Sequence, residues 1–112
     1  MSQITTHILD TTKGKPAVNV SITLFQQAGD NWLEIARGIT NSDGRIADLL
    51  PKEIQLEPGI YKLKFFTKEY FAQGGTANFY PFVEIVFDVA GTEHYHVPLL
   101  LNPFGYATYR GS

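Results

Sequence analysis

Three histidines and one arginine are the side chains of this sequence whose chemistry suits catalysis. His94 and His96 are one residue apart, His7 lies near the start, and Arg45 directly follows the turn residues Asp43-Gly44. A neutral imidazole can deprotonate a water molecule, and a planar guanidinium can stabilise an oxyanion or bind a carbonyl-rich, anionic ring. This set therefore fits the hydrolysis of an activated amide or lactam.

The same residues also allow less specific interpretations. A lone strand histidine is usually a surface residue, and an arginine after an Asp-Gly turn is usually solvated. His94 and His96 on one strand face, with His7 as a third ligand, would suit a zinc site. No carboxylate or second motif supports that site, so we do not predict a metal.

Composition argues against several other classes of protein. The chain has no cysteine, which excludes disulfides and thiolate catalysis. Its formal net charge of −2 and nine scattered basic residues indicate neither a nucleic-acid nor a membrane partner. The sequence has no nucleophile elbow, phosphate loop, leader-peptide pattern or long apolar run. We expect a cytoplasmic protein, although a leader peptide removed earlier would leave no trace here.

Alternation of apolar and polar residues with period two predicts that most of the chain forms strands. In the segment 17–25, the alternation places Val18, Val20, Ile22 and Leu24 on the core face. Thr67 is predicted to cap one short helix over 68–73 that Gly74-Gly75 terminates. Further strands are predicted over 32–37, 60–66, 83–89, 94–101 and 106–112.

Strands at this spacing, without alternating helices, predict an antiparallel sandwich or barrel, and we expect residues 1–112 to form a single domain. Period two also assigns sides to the candidate residues. His7 is predicted to lie opposite Ile8, and His94 and His96 opposite the run Tyr95, Val97, Leu99. In the last strand one side is shared by Tyr106, Thr108, Arg110 and Ser112.

Motifs along the whole chain resemble those of the transthyretin-related 5-hydroxyisourate hydrolases. The middle of the chain fits through Gly59-Ile60-Tyr61 and Phe79-Tyr80-Pro81. The tail separates the hydrolases from transthyretin, the hormone carrier on the same fold. The principal motifs are His7-Ile8-Leu9-Asp10-Thr11, Gly14-Lys15-Pro16-Ala17, Thr40-Asn41-Ser42-Asp43-Gly44-Arg45, His94-Tyr95-His96-Val97-Pro98-Leu99-Leu100-Leu101 and Tyr109-Arg110-Gly111-Ser112.

The resemblance implies a fold, an assembly and a reaction. The fold would be an all-β, transthyretin-like (prealbumin-like) antiparallel β-sandwich of two sheets with one short helix. Four copies would form a homotetramer, a dimer of dimers, with active sites in the channel between dimers. The reaction would be hydrolysis of 5-hydroxyisourate to 2-oxo-4-hydroxy-4-carboxy-5-ureidoimidazoline in the breakdown of urate to allantoin, with no cofactor.

The resemblance also assigns site residues. His7, Arg45 and His96 would be catalytic, while His7, Arg45 and the tail residues Tyr109, Arg110 and Ser112 would bind substrate. His94 matches without an assigned role. One position departs from the family pattern: Phe82 follows Tyr80-Pro81 where many relatives have an acidic residue, and Glu84 comes two positions later.

Two other functions fit part of this pattern. A transthyretin-like carrier would use the same channel without turnover, but the intact tail, Arg45 and His96 argue against it. A generic β-sandwich interaction module would explain the strands and not the matching site residues.

Overall fold

The chain folds into two four-stranded sheets and one short helix, as seen in a computed structural model that describes residues 2–112. This arrangement confirms the predicted two-sheet sandwich. The elements in chain order are β1 Ile4–Asp10, β2 Lys15–Pro16, β3 Ser21–Ala28, β4 Asn31–Ile39, β5 Gly59–Phe65, α1 Thr67–Gln73, β6 Val83–Val89, β7 Tyr95–Asn102 and β8 Gly105–Thr108. No helix within residues 2–112 is long and apolar enough to cross a bilayer.

One sheet has the strand order β2-β1-β7-β8 and is called the site sheet below; the second sheet has the order β4-β3-β5-β6. Strands pair antiparallel throughout the second sheet, as predicted. In the site sheet, however, β1 and β7 are parallel, with Thr5 opposite His96 and His7 opposite Pro98. These strands are far apart in sequence, so no hairpin fixes their relative direction. Their pairing brings both histidine-bearing strands side by side.

The core lies between the two sheets and fixes which side of each strand faces outward. Ile4 and Ile8 of β1 are fully buried, and the residues between them are half-buried or hydrogen-bonded. If β1 shifted by one residue, His7 would face the core and these apolar side chains would face solvent. Each apolar side chain exposed in this way would cost about 1.5–3 kcal/mol of folding free energy. The other strands contribute Ile22, Leu24, Tyr61, Leu63, Phe65, Val83, Val89, Tyr95, Val97, Leu99 and Leu101.

The predicted strand over 17–25 is wrong in its bounds and in one core residue. β3 begins only at Ser21 and continues to Ala28. Asn19 has a φ of 64°, in the left-handed region, which interrupts an extended strand. The Val20 N–H instead donates to the Thr40 hydroxyl at 2.9 Å. Val18, predicted to face the core, is 38% exposed.

The helix starts one residue earlier than predicted. Thr67 is its first residue and not its N-cap; Phe66 holds the cap position and makes no side-chain cap hydrogen bond. The helix ends at Gln73 and Gly74 occupies the C-cap, as predicted. Because Phe66 belongs to the cap, β5 ends at Phe65, one residue earlier than predicted. Strand β4 is longer than predicted, and the short strand β2 was not predicted.

Two predicted strands near the end of the chain are also corrected. β7 begins at Tyr95, so His94 precedes the strand instead of belonging to it. β8 ends at Thr108, so the strand predicted over 106–112 is wrong beyond that residue.

Phe82, the residue that departs from the family pattern, lies on the outer face of the second sheet. Its ring contacts Lys64, whose Nζ is 4.3 Å from the ring centroid. Glu84 forms an ion pair with Lys62 at 3.1 Å. The unusual residue therefore belongs to a Lys-aromatic surface and not to the face that carries the histidines.

Candidate active site

The outer face of the site sheet carries the candidate residues from β1 and β7. Thr5 and His7 alternate with buried residues along β1 and are half-buried. His96, from β7, lies directly opposite Thr5 and is also half-buried. Since register partners in a sheet point to the same side, all three side chains share this outer face.

A tight turn supplies Arg45. The side-chain carbonyl of Asn41 accepts hydrogen bonds from the N–H groups of Asp43, at 2.8 Å, and Arg45, at 3.2 Å. The Asn41 N–H donates to the Arg45 carbonyl at 2.8 Å, which closes the turn. This side-chain bonding to the following backbone is the reason asparagine favours turns.

Gly44 docks this turn against β1. The Ile8 N–H donates to the Gly44 carbonyl at 2.9 Å, and His7 and Arg45 form an isolated antiparallel bridge. Gly44 has a φ of 72°, and a β-carbon there would be 2.6 Å from the Ile8 carbonyl oxygen. Only glycine fits this conformation and this approach. The turn therefore holds Arg45 beside His7.

The tail returns to the sheet after β8. The Gly111 N–H donates to the His96 carbonyl at 2.8 Å in a second isolated bridge. A β-carbon on Gly111 would be 2.5 Å from Cδ2 of His96, so any side chain at this position would force the imidazole ring to move. The return carries Ser112 to the outer face of the site sheet.

These elements enclose an open depression of about 330 Å³. Three of the predicted site residues, Arg45, His96 and Ser112, line it together. The other lining residues are Thr5, Thr6, Ile46, Ala47 and His94. His7 adjoins this group through its bridge to Arg45. A cation, two histidines and hydroxyls around one space suit a small polar, planar ligand.

Tyr109 and Arg110 do not reach this depression within one chain. They line a separate cavity of about 320 Å³, together with residues of β6 and β7. The Arg110 guanidinium lies 4.6 Å from the ring centroid of Tyr95. The sequence placed Arg110 and Ser112 on one side of a strand. The chain leaves strand conformation after Thr108, and period two no longer assigns sides there.

Both histidines of the predicted catalytic set have a pKa below the usual 6.5. Burial lowers the pKa of His96, and the positive charge of Arg45 lowers it further, with smaller effects from His94 and His7 and an opposing hydrogen bond to the Thr5 backbone. Burial and Arg45 also lower the pKa of His7, against an opposing hydrogen bond to the Asp43 backbone. A neutral imidazole is the form that accepts a proton.

Thr5 is a site residue that the sequence analysis missed. Its hydroxyl oxygen lies 2.7 Å from Nε2 of His94 and 2.8 Å from Nδ1 of His96. Thr5 alternates with His7 on the same face of β1, and this was the signal that could have indicated it. His7, His94 and His96 do not form a three-ligand metal cluster in the part of the chain described.

Comparison with known proteins gives consistent matches over nearly the whole chain. Residues 4–111 match the model of the HIUase/Transthyretin family. The 5-hydroxyisourate hydrolase of Mus musculus is 45% identical over 114 residues, which cover 99% of this chain and 96% of that protein. The structure of Klebsiella pneumoniae 5-hydroxyisourate hydrolase has a TM-score of 0.86 and 35% identity, covering 97% of this chain and 98% of that one. Sea bream transthyretin in complex with thyroxine has a TM-score of 0.90 and 37% identity, covering 97% and 94%.

Proposed function

The chain belongs to the HIUase/Transthyretin family, and we propose that it hydrolyses 5-hydroxyisourate. The name of the mouse relative, at 45% identity over nearly full length, supports a hydrolase. The single observation that carries the proposal is the depression in which Arg45, His96 and Ser112 meet. It offers a base, a cation and a hydroxyl group to one small ligand.

The proposed reaction adds one water molecule and opens the six-membered ring. Neutral His96, with His7 positioning the water, takes a proton from water, and the resulting hydroxide attacks a ring carbonyl carbon. The carbon–nitrogen bond of that amide then breaks, and the departing nitrogen receives the proton. The product is 2-oxo-4-hydroxy-4-carboxy-5-ureidoimidazoline. No metal or cofactor takes part in this scheme.

Arg45 has two roles in the proposal. Its guanidinium stabilises the oxyanion that develops on the attacked carbonyl, and its planar group fits the anionic edge of the substrate. Its charge also lowers the pKa of both His7 and His96. Arg45 therefore keeps the bases unprotonated while it binds the negative charge that they help to create. Ser112 lines the depression and contacts the substrate, and Tyr109 and Arg110 shape the pocket end in the assembled protein.

We also propose that the protein acts as a homotetramer, a dimer of dimers, with its sites facing a central channel. The depression lies on the outer face of a sheet, so a single chain leaves it open. Large aromatic side chains are exposed near the β8 edge of the same sheet, among them Phe104 at 66% and Tyr109 at 59%. A second copy covering this region would remove apolar surface from water.

The test is the decay of 5-hydroxyisourate, generated in place from urate and urate oxidase. We expect wild type to accelerate the decay and Arg45→Ala to lose roughly 10²–10³-fold in kcat, the range for removal of one oxyanion donor. A truncation before Tyr109 should also be inactive. Arg37→Ala is the matched control, because Arg37 is an exposed residue of the second sheet paired with Glu34.

A folded wild-type protein that does not accelerate the decay would contradict the proposal. The sea bream transthyretin structure, solved with thyroxine, makes a carrier the alternative in that case. Equilibrium binding of thyroxine to the same preparation separates the two functions. Tight binding without hydrolysis would favour a carrier.

A further inference from the structure

We propose that Thr5 and His94 are positioning residues that hold His96 in the tautomer with an unprotonated Nε2. The inference rests on the proposed function and deepens it, because it identifies which nitrogen of His96 acts as the base. It also gives a role to His94, to which the family motif assigned none.

The geometry restricts the ring of His96 on two sides. Its Nδ1 lies 2.8 Å from the Thr5 hydroxyl oxygen. The Cδ2 edge of the ring faces Gly111, and a methyl group on Gly111 would lie only 2.5 Å from that Cδ2 atom. Nε2 is therefore the nitrogen left free to meet a ligand in the depression.

The Thr5 hydroxyl couples the two imidazoles. A hydroxyl has one hydrogen to donate, and its oxygen lies within hydrogen-bond distance of both His94 Nε2 and His96 Nδ1. If Thr5 donates to one ring, it must accept from the other. Two arrangements follow, and they leave opposite tautomers on His96.

In the first arrangement, His96 donates from Nδ1 to Thr5, and Thr5 donates to Nε2 of His94. Nε2 of His96 then carries a lone pair. In the second arrangement, Thr5 donates to Nδ1 of His96, so the proton of the neutral ring is on Nε2. A base needs the lone pair, so only the first arrangement allows His96 to take a proton from water.

The charge of Arg45 favours the first arrangement independently of catalysis. Arg45 lines the same depression as His96 and lowers its pKa. A lone pair facing a cation is electrostatically better than an N–H dipole facing it. Exposed His94 can adopt the matching tautomer, with its proton on Nδ1, at little cost.

An uncharged partner differs from the carboxylate that orients histidine in a serine-hydrolase triad. A carboxylate would fix the tautomer but would also stabilise the protonated ring and raise its pKa. The Thr5 hydroxyl fixes the tautomer without adding a negative charge. His96 therefore keeps a pKa below its usual value.

The first experiment reads the tautomer directly, by long-range ¹H–¹⁵N NMR of histidine-labelled protein above the histidine pKa range. We expect a protonated Nδ1 on His96 in wild type and in Thr5→Ser, and a protonated Nε2 in Thr5→Val. The matched control is Thr11→Val, since the Thr11 hydroxyl donates instead to the Leu101 carbonyl. A wild-type His96 with its proton on Nε2 would overturn the proposal.

The second experiment measures turnover in the same variants. Thr5→Val should lower kcat about tenfold to a hundredfold, since the wrong tautomer impairs general-base catalysis, while KM stays within about twofold. Thr5→Ser keeps the hydroxyl and should have the kcat of wild type. His94→Phe should lower kcat as Thr5→Val does, because it frees Thr5 to donate to His96. The double variant should cost little more than either alone, since the two residues act as one unit.

The two proposals fail in distinguishable ways. An inactive wild type refutes the hydrolase function, yet its His96 tautomer is still measurable. An active wild type whose kcat and tautomer are unchanged by Thr5→Val refutes the positioning role alone. Thermal unfolding of each variant shows whether a lost activity reflects a lost fold.

Discussion

At the residue scale, the positive charge of Arg45 affects the protonation of His7 and His96. Burial and this guanidinium both place the pKa of His96 and of His7 below the usual 6.5. We predict that kcat/KM falls on the acid side with an apparent pKa below 6.5, because protonated His96 cannot act as the base. Replacing Arg45 by Met should move the His96 pKa upward, as followed by its Cε1 proton in NMR. An unchanged pKa in Arg45→Met would show that the guanidinium does not act on the ring.

The same pKa shifts affect stability. A histidine whose pKa is lower in the folded state binds more protons when unfolded, so the free energy of unfolding decreases as pH falls through about 6.5 toward the folded pKa. We therefore expect a lower thermal midpoint at pH 5.5 than at pH 7.5. His7→Asn and His96→Asn should each reduce that difference. The opposite slope in wild type would contradict the direction of both shifts.

Gly111 lies so close to His96 that a side chain there would displace the imidazole ring. A methyl group there would overlap Cδ2 of His96. We predict that Gly111→Ala turns the His96 ring and lowers kcat by at least about tenfold, because the base loses its alignment. Gly59→Ala is the control, since its β-carbon would meet nothing closer than 3.9 Å. Equal activities of the two variants would show that the tail does not position the ring.

Period two predicted the outward face of His7 and His96 correctly because core residues on either side of each are buried. Thr5 was missed because threonine is common on strands and only its partners reveal its role. Arg110 and Ser112 were assigned to one side, yet they line different cavities. Alternation assigns sides only while the chain remains in a strand.

At the scale of elements, local patterns located the strands, and tertiary contacts set their limits. Because Asn19 has a left-handed backbone conformation, β3 begins only at Ser21, although the apolar alternation begins earlier. The parallel β1–β7 pair had no local signal, since its strands are separated by nearly the whole chain. That pair is the element that assembles Thr5, His7 and His96, so the site required the three-dimensional fold.

A hydrogen bond links the helix to the site sheet, in addition to the packing of buried Phe71 in the core. The Tyr70 hydroxyl donates to Oδ2 of buried Asp10 at 2.7 Å, and burial together with Asp10 raises the pKa of Tyr70. We predict that Tyr70→Phe costs about 1.5 kcal/mol in the free energy of unfolding, the scale for a bond to a charged acceptor. Turnover should be unchanged, because the bond lies away from the depression. Denaturant titration with exposed Tyr80→Phe as control provides the measurement; equal stabilities would contradict the link.

At the scale of the whole molecule, the single chain leaves the proposed site open to solvent. Arg45, His96 and Ser112 meet within one chain, but the depression is open and Tyr109 and Arg110 line a different cavity. A symmetric partner that covers the outer face of the site sheet would enclose the substrate and exclude water from the developing charge. Catalysis and assembly should therefore be lost together when that face is altered.

Phe104 provides the test of this coupling. It lies in the turn between β7 and β8 and is 66% exposed, so burial against a second copy would explain a large apolar residue there. We predict that wild type sediments as a tetramer and that Phe104→Glu shifts it to smaller species, because a buried unpaired charge opposes association. kcat should fall with the fraction of tetramer. Leu33→Glu is the matched control: Leu33 is 56% exposed on β4 of the second sheet, and this variant should remain a fully active tetramer. A stable and fully active monomer, in either variant or in wild type, would show that one chain suffices.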